Sequence, residues 1–265
     1  MPDRYAVIGN PVTHSKSPWI HAQFARATGE TIEYGRIEAP PEGFVHAVET
    51  FRAQGGRGLN VTLPFKGEAF RLCAGTSERA AAAQAVNTLV LDRGKPWGDN
   101  TDGVGLVRDI GALGVAIEGR RVLLVGAGGA SRSVIPALLD ARPGLLVVVN
   151  RTLPRATALA ARVAGVSACG YEALAGQSFD LVINATSAGL SGELPQLPTG
   201  LFRAGALAYE MVYGRDTEFL AMARAAGVAT SDGLGMLVEQ AAESFLVWRG
   251  IRPETGAVLA ALRAQ

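Results

Sequence analysis

Hydrophobic and polar positions follow two alternating patterns along this chain. Short apolar runs are bounded by glycine, proline or polar residues, which is typical of buried strands. Between these runs, apolar residues recur every three or four positions in alanine-rich segments, which is typical of amphipathic helices. The predicted strands are Tyr5–Ile8, Ile32–Ile37, Gly58–Val61, Val86–Leu91, Val122–Val125, Leu145–Val149, Leu181–Ile183 and Ala206–Met211. The predicted helices are Pro18–Ala27, Phe44–Ala53, Gly103–Leu113, Arg132–Leu139, Arg155–Val163, Thr217–Ala225 and two helices within Leu234–Ala264.

This alternation of strands and helices predicts an α/β fold with parallel or mostly parallel sheets covered by helices. The short, polar and glycine-rich stretch Gly98–Gly105 is typical of a boundary between domains. From Val122 the chain starts a new strand–glycine–helix unit. We therefore expect two α/β domains.

Composition and charge narrow the class of protein. Of the 265 residues, 48% are hydrophobic and 18% are charged, which indicates an ordered globular protein with a substantial core. The 25 basic and 24 acidic residues form no long run of one sign, so we expect neither a nucleic-acid nor a membrane partner. The N-terminal residues lack an apolar segment of signal-peptide length, and the apolar runs are strand-sized. We expect a soluble, cytoplasmic protein.

The cysteines and histidines indicate no metal site. Cys73 and Cys169 lie far apart without metal-ligand spacing, which suits a reducing compartment. The three histidines, His14, His21 and His46, are not spaced as ligands either. We therefore expect no metal.

A glycine-rich turn provides the sharpest local signal. The strand Val122–Val125 leads into Gly126, Ala127, Gly128, Gly129 and Ala130, and a helix follows. Gly126 permits a tight turn, Gly128 allows the backbone to approach a pyrophosphate, and the helix N-terminus offers free N–H groups to that anion. Ser131 occupies the third position of the fingerprint, where glycine or alanine is usual. The pattern favours dinucleotide binding, and the alternative is a purely structural turn.

The end of the next strand indicates which dinucleotide is bound. An NAD site usually carries a carboxylate here for the ribose 2′-hydroxyl, whereas arginine suits the 2′-phosphate of NADP. This chain has no acid at that point and instead carries Asn150, Arg151, Thr152 and Arg155. A capped helix start with solvated arginines would not explain the missing acid. We expect NADP(H) as the cofactor.

Further motifs follow one another along the chain. The first half contains HSKSP (His14–Pro18), NVTLPFK (Asn60–Lys66), AVNTL (Ala85–Leu89) and GDNTDG (Gly98–Gly103). The second half contains GAGGASR, NRT, NATSAG (Asn184–Gly189) and DGLGMLVEQA (Asp232–Ala241). With these motifs the sequence resembles the shikimate dehydrogenase family over nearly its whole length.

The resemblance implies two α/β domains, which are an N-terminal substrate domain over residues 1–102 and a Rossmann-type NADP-binding domain over residues 103–233. Residues 234–265 are then C-terminal helices that return to the substrate domain. The implied reaction is the NADP-dependent reduction of 3-dehydroshikimate to shikimate, a step of aromatic amino-acid biosynthesis. The implied partner is this small molecule, and a homodimer is left open.

The resemblance also implies site residues. Those for the substrate are Ser15, Ser17, Asn60, Thr62, Lys66, Asn87, Asp102, Tyr213 and Gln240. Those for the cofactor are Glu78, Gly126, Ala127, Gly128, Gly129, Ala130, Asn150, Arg151, Thr152, Arg155, Met211 and Gly233. The chain departs from the family pattern Asp-x-x-Tyr-x-Pro, because Glu210 and Arg215 replace the aspartate and the proline around Tyr213.

Lys66 and Asp102 are the expected catalytic pair. Reduction of a ketone requires a proton for the forming alkoxide, and Lys66 can donate it while Asp102 orients the ammonium group. In the alternative interpretation, Lys66 is a solvated charge after Pro64 and Asp102 caps a helix. Three other functions stay open. They are a quinate/shikimate dehydrogenase that accepts NAD, an aminoshikimate dehydrogenase, and a catalytically silent NADP-binding sensor.

Overall fold

The computed structural model of the chain describes residues 1–92, 94–186 and 196–265, which form two α/β units. The first unit contains Met1–Gly105 and Leu237–Gln265, and the second contains Leu106–Met236. The chain therefore returns to its first unit after it completes the second. Residues 187–189 of the NATSAG motif lie outside the described residues.

The described residues of the first unit form a six-stranded sheet in the order β2-β1-β3-β5-β6-β4. Its strands are β1 (Asp3–Gly9), β2 (Ile32–Glu38), β3 (Gly56–Val61), β4 (Gly75–Thr76), β5 (Thr88–Val90) and β6 (Trp97–Asp99). The helices that begin before the second sheet are α1 (Ser17–Thr28), α2 (Phe44–Ala53), α3 (Lys66–Leu72), α4 (Glu78–Ala83) and α5 (Asp102–Ala112).

This first sheet is mixed, so the prediction of parallel or mostly parallel sheets is only partly right for it. β5 runs antiparallel to both β3 and β6, whereas the other pairs are parallel. The register pairs Asn60 with Thr88, and Thr88 with Asp99. Three motifs that are far apart in the sequence therefore meet at one place in the sheet.

The second unit has a parallel six-stranded sheet in the order β12-β11-β10-β7-β8-β9 across its described residues. Its strands are β7 (Arg121–Val125), β8 (Leu145–Val149), β9 (Val166–Cys169), β10 (Phe179–Asn184), β11 (Phe202–Glu210) and β12 (Ala229–Ser231). Its helices include α6 (Gly129–Asp140), α7 (Leu153–Ala160) and α8 (Glu218–Ala225). Counted from β7, this is the strand order 3-2-1-4-5-6 of dinucleotide-binding sheets, which confirms the predicted Rossmann-type fold.

Both faces of this second sheet are buried. Val122 and Leu124 of β7 pack into one hydrophobic cluster, and the alternating Leu123 and Val125 pack into another. Successive side chains of a strand point to opposite faces, so burial on both faces requires a continuous apolar run. This explains why β7 and β8 were recognisable in the sequence.

The last two helices, α9 (Leu234–Arg249) and α10 (Gly256–Arg263), complete the chain. Trp248 of α9 donates a hydrogen bond from Nε1 to the carbonyl of Leu89 at 2.9 Å. Gly58 is required below this indole, because a Cβ there would lie 2.5 Å from Nε1. Arg249 is paired with Asp3 and Glu30. These contacts hold the C-terminal helices on the first unit.

Candidate active site

Lys66 and Asp102 form a direct ion pair in the first unit. Lys66 Nζ lies 2.6 Å from Asp102 Oδ2, and the side chains are 23% and 8% exposed. Lys66 is the first residue of α3, which follows the turn after β3, and Asp102 is the first residue of α5. Lys66 is thus held against a buried carboxylate and is not a solvated surface charge.

Asn87 holds the other oxygen of this carboxylate. Its Nδ2 donates to Asp102 Oδ1 at 2.7 Å and to Thr101 Oγ1 at 2.9 Å. Its Oδ1 accepts from the backbone N–H of Thr101 at 2.9 Å. Because one oxygen of Asp102 binds the lysine and the other binds an amide, the carboxylate has a fixed orientation.

Asn60 is a second buried amide in the same cluster. Its Oδ1 accepts from the hydroxyl of Tyr34 at 2.6 Å, and its Nδ2 donates to Ser244 Oγ at 2.9 Å. Gln240 joins the cluster through Oε1, which lies 3.3 Å from Asn87 Nδ2. The helix that carries Gln240 can approach because position 105 is glycine, where a Cβ would lie only 2.7 Å from the Gln240 nitrogen.

The predicted serines and threonine lie on neighbouring turns of the same unit. Ser15 Oγ accepts from the N–H of Ser17 at 3.3 Å, and the Ser15 carbonyl accepts two bonds from the guanidinium of Arg36. Ser17 is the buried first residue of α1, whose N-cap position is occupied by the preceding lysine. Thr62 packs against Gly9, where a Cβ would come within 2.4 Å of its methyl group.

Four polar residues of this cluster were not among the predicted site residues. Thr88 and Thr101 lie inside quoted motifs, so their neighbours could have identified them. Tyr34 and Ser244 lie in ordinary strand and helix patterns, which carry no signal for them. They can be recognised as members of the cluster only when the strand register and the position of helix α9 are known.

A buried ion pair supports the segment that carries Asp102. Arg79 makes two bonds to Asp99, from Nε and Nη2 at 2.7 Å each, and a third to Glu243 at 3.0 Å. Burial opposes ionisation of Asp99, but the bonds from Arg79 and Ser77 outweigh it and lower the pKa of the carboxyl group. The pair ties α4 and α9 to the strand before the Asp102 segment.

The glycine turn of the second unit fits an anionic group. Gly126 has a φ of +109°, which favours glycine, and a Cβ there would lie 3.0 Å from the Thr186 methyl group. A Cβ on Gly128 would meet nothing within 4 Å, so open space lies in front of the N-terminus of α6. Among the described residues, no side chain caps this helix. Its first N–H groups can therefore bind a pyrophosphate.

Ser131 fits its unusual fingerprint position for a physical reason. Its side chain is fully buried, and its hydroxyl donates to the carbonyl of Gly126 at 2.7 Å. The serine therefore closes the turn from inside the helix.

The arginines predicted to bind the 2′-phosphate lie at the end of β8 and the start of α7. Asn150 Nδ2 donates to the carbonyl of Thr152 at 3.0 Å and shapes this turn. Arg151 and Arg155 are exposed, and neither forms an ion pair with any carboxylate that the structure describes. A surface cavity of about 580 Å³ borders Arg151. The segment suits a phosphate ligand better than a structural salt bridge.

Met211 and Gly233 are neighbours in the second unit. A Cβ on Gly233 would lie 2.2 Å from the carbonyl oxygen of Met211, so only glycine fits. The fully buried Glu210 accepts hydrogen bonds from Asn184 at 2.7 Å and from Thr217 at 3.1 Å. Glutamate thus serves as a buried acceptor at the position where the family pattern has aspartate.

Two predicted site residues belong to a different unit from the rest of their set. Tyr213 follows β11 in the second unit, and burial raises the pKa of its hydroxyl. Glu78 is exposed in the first turn of α4 in the first unit. The other predicted substrate residues belong to the first unit and the other predicted cofactor residues to the second, so both assignments stay predictions.

The described residues contain neither a metal-ligand cluster nor a membrane-spanning helix. No cluster of three histidine, cysteine, aspartate or glutamate side chains among them is arranged to hold a metal ion. In the same part of the chain, no helix has both the length and the apolar character needed to cross a membrane.

Comparison with known families gives three consecutive matches. The domain described as "Shikimate dehydrogenase substrate binding domain" matches residues 7–89. "Shikimate / quinate 5-dehydrogenase" matches residues 110–191, and "Shikimate 5'-dehydrogenase C-terminal domain" matches residues 233–263. The three matches follow the order of the two units and the returning helices.

Individual relatives match over their full length. The shikimate dehydrogenase (NADP(+)) of Aromatoleum aromaticum is 58% identical, with 99% of this chain and 98% of the relative covered. Among solved structures, an enzyme named Ael1 from Pseudomonas putida has a TM-score of 0.93 at 49% identity, with 98% of both chains covered. The shikimate 5-dehydrogenase of Thermus thermophilus, in complex with NADP(H) and shikimate, has a TM-score of 0.90 at 35% identity, with 99% of both chains covered.

Proposed function

Because the chain belongs to the shikimate dehydrogenase family, we propose that it catalyses the reversible NADP-dependent reduction of 3-dehydroshikimate to shikimate. The observation that carries this proposal is the contact of 2.6 Å between Lys66 and Asp102 inside a cluster of buried amides and hydroxyls. A lysine beside a carboxylate is suited to proton transfer, and the surrounding groups are suited to a polyhydroxylated substrate.

The substrate chemistry matches the side chains of the first unit. Shikimate has one carboxylate and three ring hydroxyls, so its site needs short donors and acceptors. The first unit supplies them from Ser15, Ser17, Asn60, Thr62, Asn87 and Gln240. Tyr213 is proposed as a further substrate residue from the second unit.

Lys66 and Asp102 perform the proton transfer in the proposed mechanism. When bound, NADPH supplies the hydride for the carbonyl carbon. The ammonium group of Lys66 donates a proton to the forming alkoxide, and the neutral amine accepts it in the reverse direction. Asp102 holds the ammonium group in place, and Asn87 prevents rotation of the carboxylate through its bond to Oδ1.

Most of the residues proposed to hold NADP(H) belong to the second unit. The turn Gly126–Ala130 binds the pyrophosphate, Asn150–Arg155 binds the 2′-phosphate, and Met211 and Gly233 form a further contact. Glu78 is proposed as a contact from the first unit. The guanidinium groups of Arg151 and Arg155, which form no ion pair with a described carboxylate, support a 2′-phosphate in preference to a ribose hydroxyl.

The first test is a matched set of four assays. Purified protein is mixed with shikimate or quinate, each with NADP⁺ or NAD⁺, and the reduced nicotinamide is followed by absorbance. Fast reduction with shikimate and NADP⁺ alone supports the proposal. Comparable rates with quinate or NAD⁺ would instead support the broader quinate/shikimate activity.

Two alternatives have distinct outcomes when an assay with aminoshikimate is added to this set. An aminoshikimate dehydrogenase would turn over the amino analogue faster than shikimate. A silent sensor would bind NADP⁺ without reducing it in any assay. The intact pair of Lys66 and Asp102 favours an enzyme over a sensor.

Location and assembly complete the proposal. We propose a cytoplasmic enzyme, since the free cysteines Cys73 and Cys169 suit a reducing compartment. A homodimer would have twice the chain mass of 27.5 kDa in light scattering.

A further inference from the structure

Ser244 of α9 has a fully buried hydroxyl with partners from four segments of the chain. Its Oγ accepts from Asn60 Nδ2 at 2.9 Å and donates to the carbonyl of Gln240 at 3.0 Å. It also lies 2.8 Å from Thr88 Oγ1 and 3.2 Å from Thr101 Oγ1. No other hydroxyl in the described part of the substrate cluster bridges strand β3, strand β5, the segment before α5 and helix α9.

A helical serine often bonds to the carbonyl four residues earlier, and Ser244 makes this bond to Gln240. That single bond would be enough for a serine with only a structural role. The other three contacts all reach segments that carry predicted substrate residues. Their convergence on one oxygen requires an explanation beyond the local structure of the helix.

The contacts restrict which way the Asn60 amide faces. The two ends of an amide differ, since the nitrogen only donates and the oxygen only accepts. The hydrogen of Ser244 is used toward Gln240, so Ser244 presents lone pairs to Asn60. A flipped Asn60 would place its oxygen against those lone pairs, which is repulsive. The present orientation also lets Oδ1 accept from Tyr34.

The same hydroxyl acts on Asn87 through Thr101. Asn87 Nδ2 donates to Thr101 Oγ1 at 2.9 Å, and the hydrogen of Thr101 can point to Ser244. Thr88 has one hydrogen, which it donates to Asn87 Oδ1 at 2.8 Å. Ser244 contacts both threonines. One serine oxygen therefore connects the two buried amides of the site.

We propose that Ser244 is a positioning residue for substrate binding, because it fixes the amide orientation of Asn60 directly and that of Asn87 through Thr101. The pocket then presents a constant pattern of donors and acceptors to the ring hydroxyls of the substrate. This inference rests on the proposed function, since it concerns the same substrate site.

The test is Ser244→Ala in the full chain, with kinetics measured for shikimate and NADP⁺ separately. We expect the KM for shikimate to rise about five- to tenfold, in line with the loss of one buried hydrogen bond. The KM for NADP⁺ and the kcat should stay within about twofold, because the contact of Lys66 with Asp102 is untouched. Ser244→Cys, which keeps a weak acceptor, should give an intermediate KM and replaces the alanine variant if that variant does not fold.

Ser133→Ala is the matched control, because Ser133 is also a buried helical serine but lies on α6 in the second unit. We expect it to lower thermal stability without changing the KM for shikimate. A second comparison places Ser244→Ala in an Asn60→Ala background, where its effect on KM should be smaller than in the wild type, because only the route through Asn87 remains.

The possible failures are distinguishable. An active wild type with an unchanged KM in Ser244→Ala, whether or not stability falls, would overturn this inference alone. The inference would also be overturned if Ser244→Ala raised the KM for shikimate by the same factor in the wild type and in the Asn60→Ala background. A wild type that does not oxidise shikimate would overturn the proposed function and this inference together.

Discussion

The contact of Lys66 with Asp102 decides between a surface charge and a site residue. Its charge could not be distinguished from a surface charge by sequence pattern, because a lysine after a proline turn is usually solvated. The structure places its ammonium group 2.6 Å from a carboxylate that is almost fully buried. A buried carboxylate beside a partly accessible ammonium group is an arrangement typical of sites that transfer protons.

Substitution of this lysine tests the proposed chemistry. We expect Lys66→Ala to lower kcat about 10²- to 10⁴-fold, the usual contribution of a general acid or base. Binding of NADP⁺ should not change, because the glycine turn belongs to the other unit. Steady-state kinetics and a separate NADP⁺ titration measure both effects. The exposed Lys95→Ala is the control and should keep wild-type turnover, whereas normal turnover in Lys66→Ala would rule out the proposed role.

Arg155 tests the choice of dinucleotide. We expect Arg155→Gln to raise the KM for NADP⁺ about 10- to 100-fold, because a hydrogen bond between charged groups is worth about 1.5–3 kcal/mol. The KM for NAD⁺, which has no 2′-phosphate, should change little. Arg142→Gln, at an exposed arginine paired with Glu118, is the control. Equal changes for both dinucleotides would contradict the assignment.

His21 carries a pH dependence of stability. Burial lowers its pKa to about 3, and it stacks on Tyr34 with ring centroids 4.2 Å apart. The unfolded chain takes up a proton near the ordinary pKa of about 6.5, and the folded chain does not, so stability falls as the pH drops from 6.5 toward 3. The contribution approaches about 1.4 kcal/mol per pH unit.

His21→Phe should reduce this slope by nearly that amount between pH 6 and 5, above the ordinary pKa values of carboxyl groups. Urea unfolding at several pH values measures it, and the comparison uses slopes because the new ring also changes packing. The exposed His46→Gln should keep the wild-type slope. An unchanged slope in His21→Phe would show that another group causes the dependence.

At the scale of elements, Arg79 links two helices and a strand around the segment that carries Asp102. Arg79→Met would leave Asp99 buried without a cation, so we expect the free energy of unfolding to fall by about 3–5 kcal/mol. Denaturant unfolding checks this value. Arg52→Met removes a pair on an exposed helix face and should cost at most about 1 kcal/mol. A similar loss in both variants would mean that the Arg79 pair contributes no more to the free energy of unfolding than an exposed ion pair.

The elements that sequence could predict are those with a strong local pattern. The apolar runs at Val122 and Leu145 identified β7 and β8, and the glycine turn identified the start of α6. The short strands β4, β6, β9 and β12 were missed, because two to four residues do not form a period. The antiparallel direction of β5 was also invisible, since strand direction depends on partners elsewhere in the chain. Yet this strand assembles the site by pairing Thr88 with Asn60 and Asp99.

The candidate site was predictable where residues belong to family motifs, and it was not where they act through packing. Lys66, Asp102, Asn60 and Asn87 were expected, and the structure brings all four into one cluster. Ser244 was not expected, because a serine in an alanine-rich helix resembles any other small residue. Its partners become apparent only when α9 lies against the first sheet.

At the scale of the whole molecule, the first unit is built from two separate chain segments and the second from one. Residues 106–236 are continuous and contain two hydrophobic clusters of their own. We expect this segment, expressed alone, to fold and to bind NADP⁺ without oxidising shikimate. Circular dichroism and calorimetric titration would test it. Residues 1–105 alone should not fold stably, because they lack Trp248 and Arg249, and a stable fold for that segment would contradict this account.

The return of the chain to its first unit sets an order of events during synthesis. On the ribosome, domains generally fold as units with the N-terminal one first. Here the first unit lacks the helix that carries Gln240 and Ser244 until all of residues 106–236 have been translated. The nascent chain can therefore complete its cofactor-binding unit before its substrate-binding unit. Any translation product that stops before residue 237 would lack part of the proposed pocket, so catalytic competence is acquired late in translation.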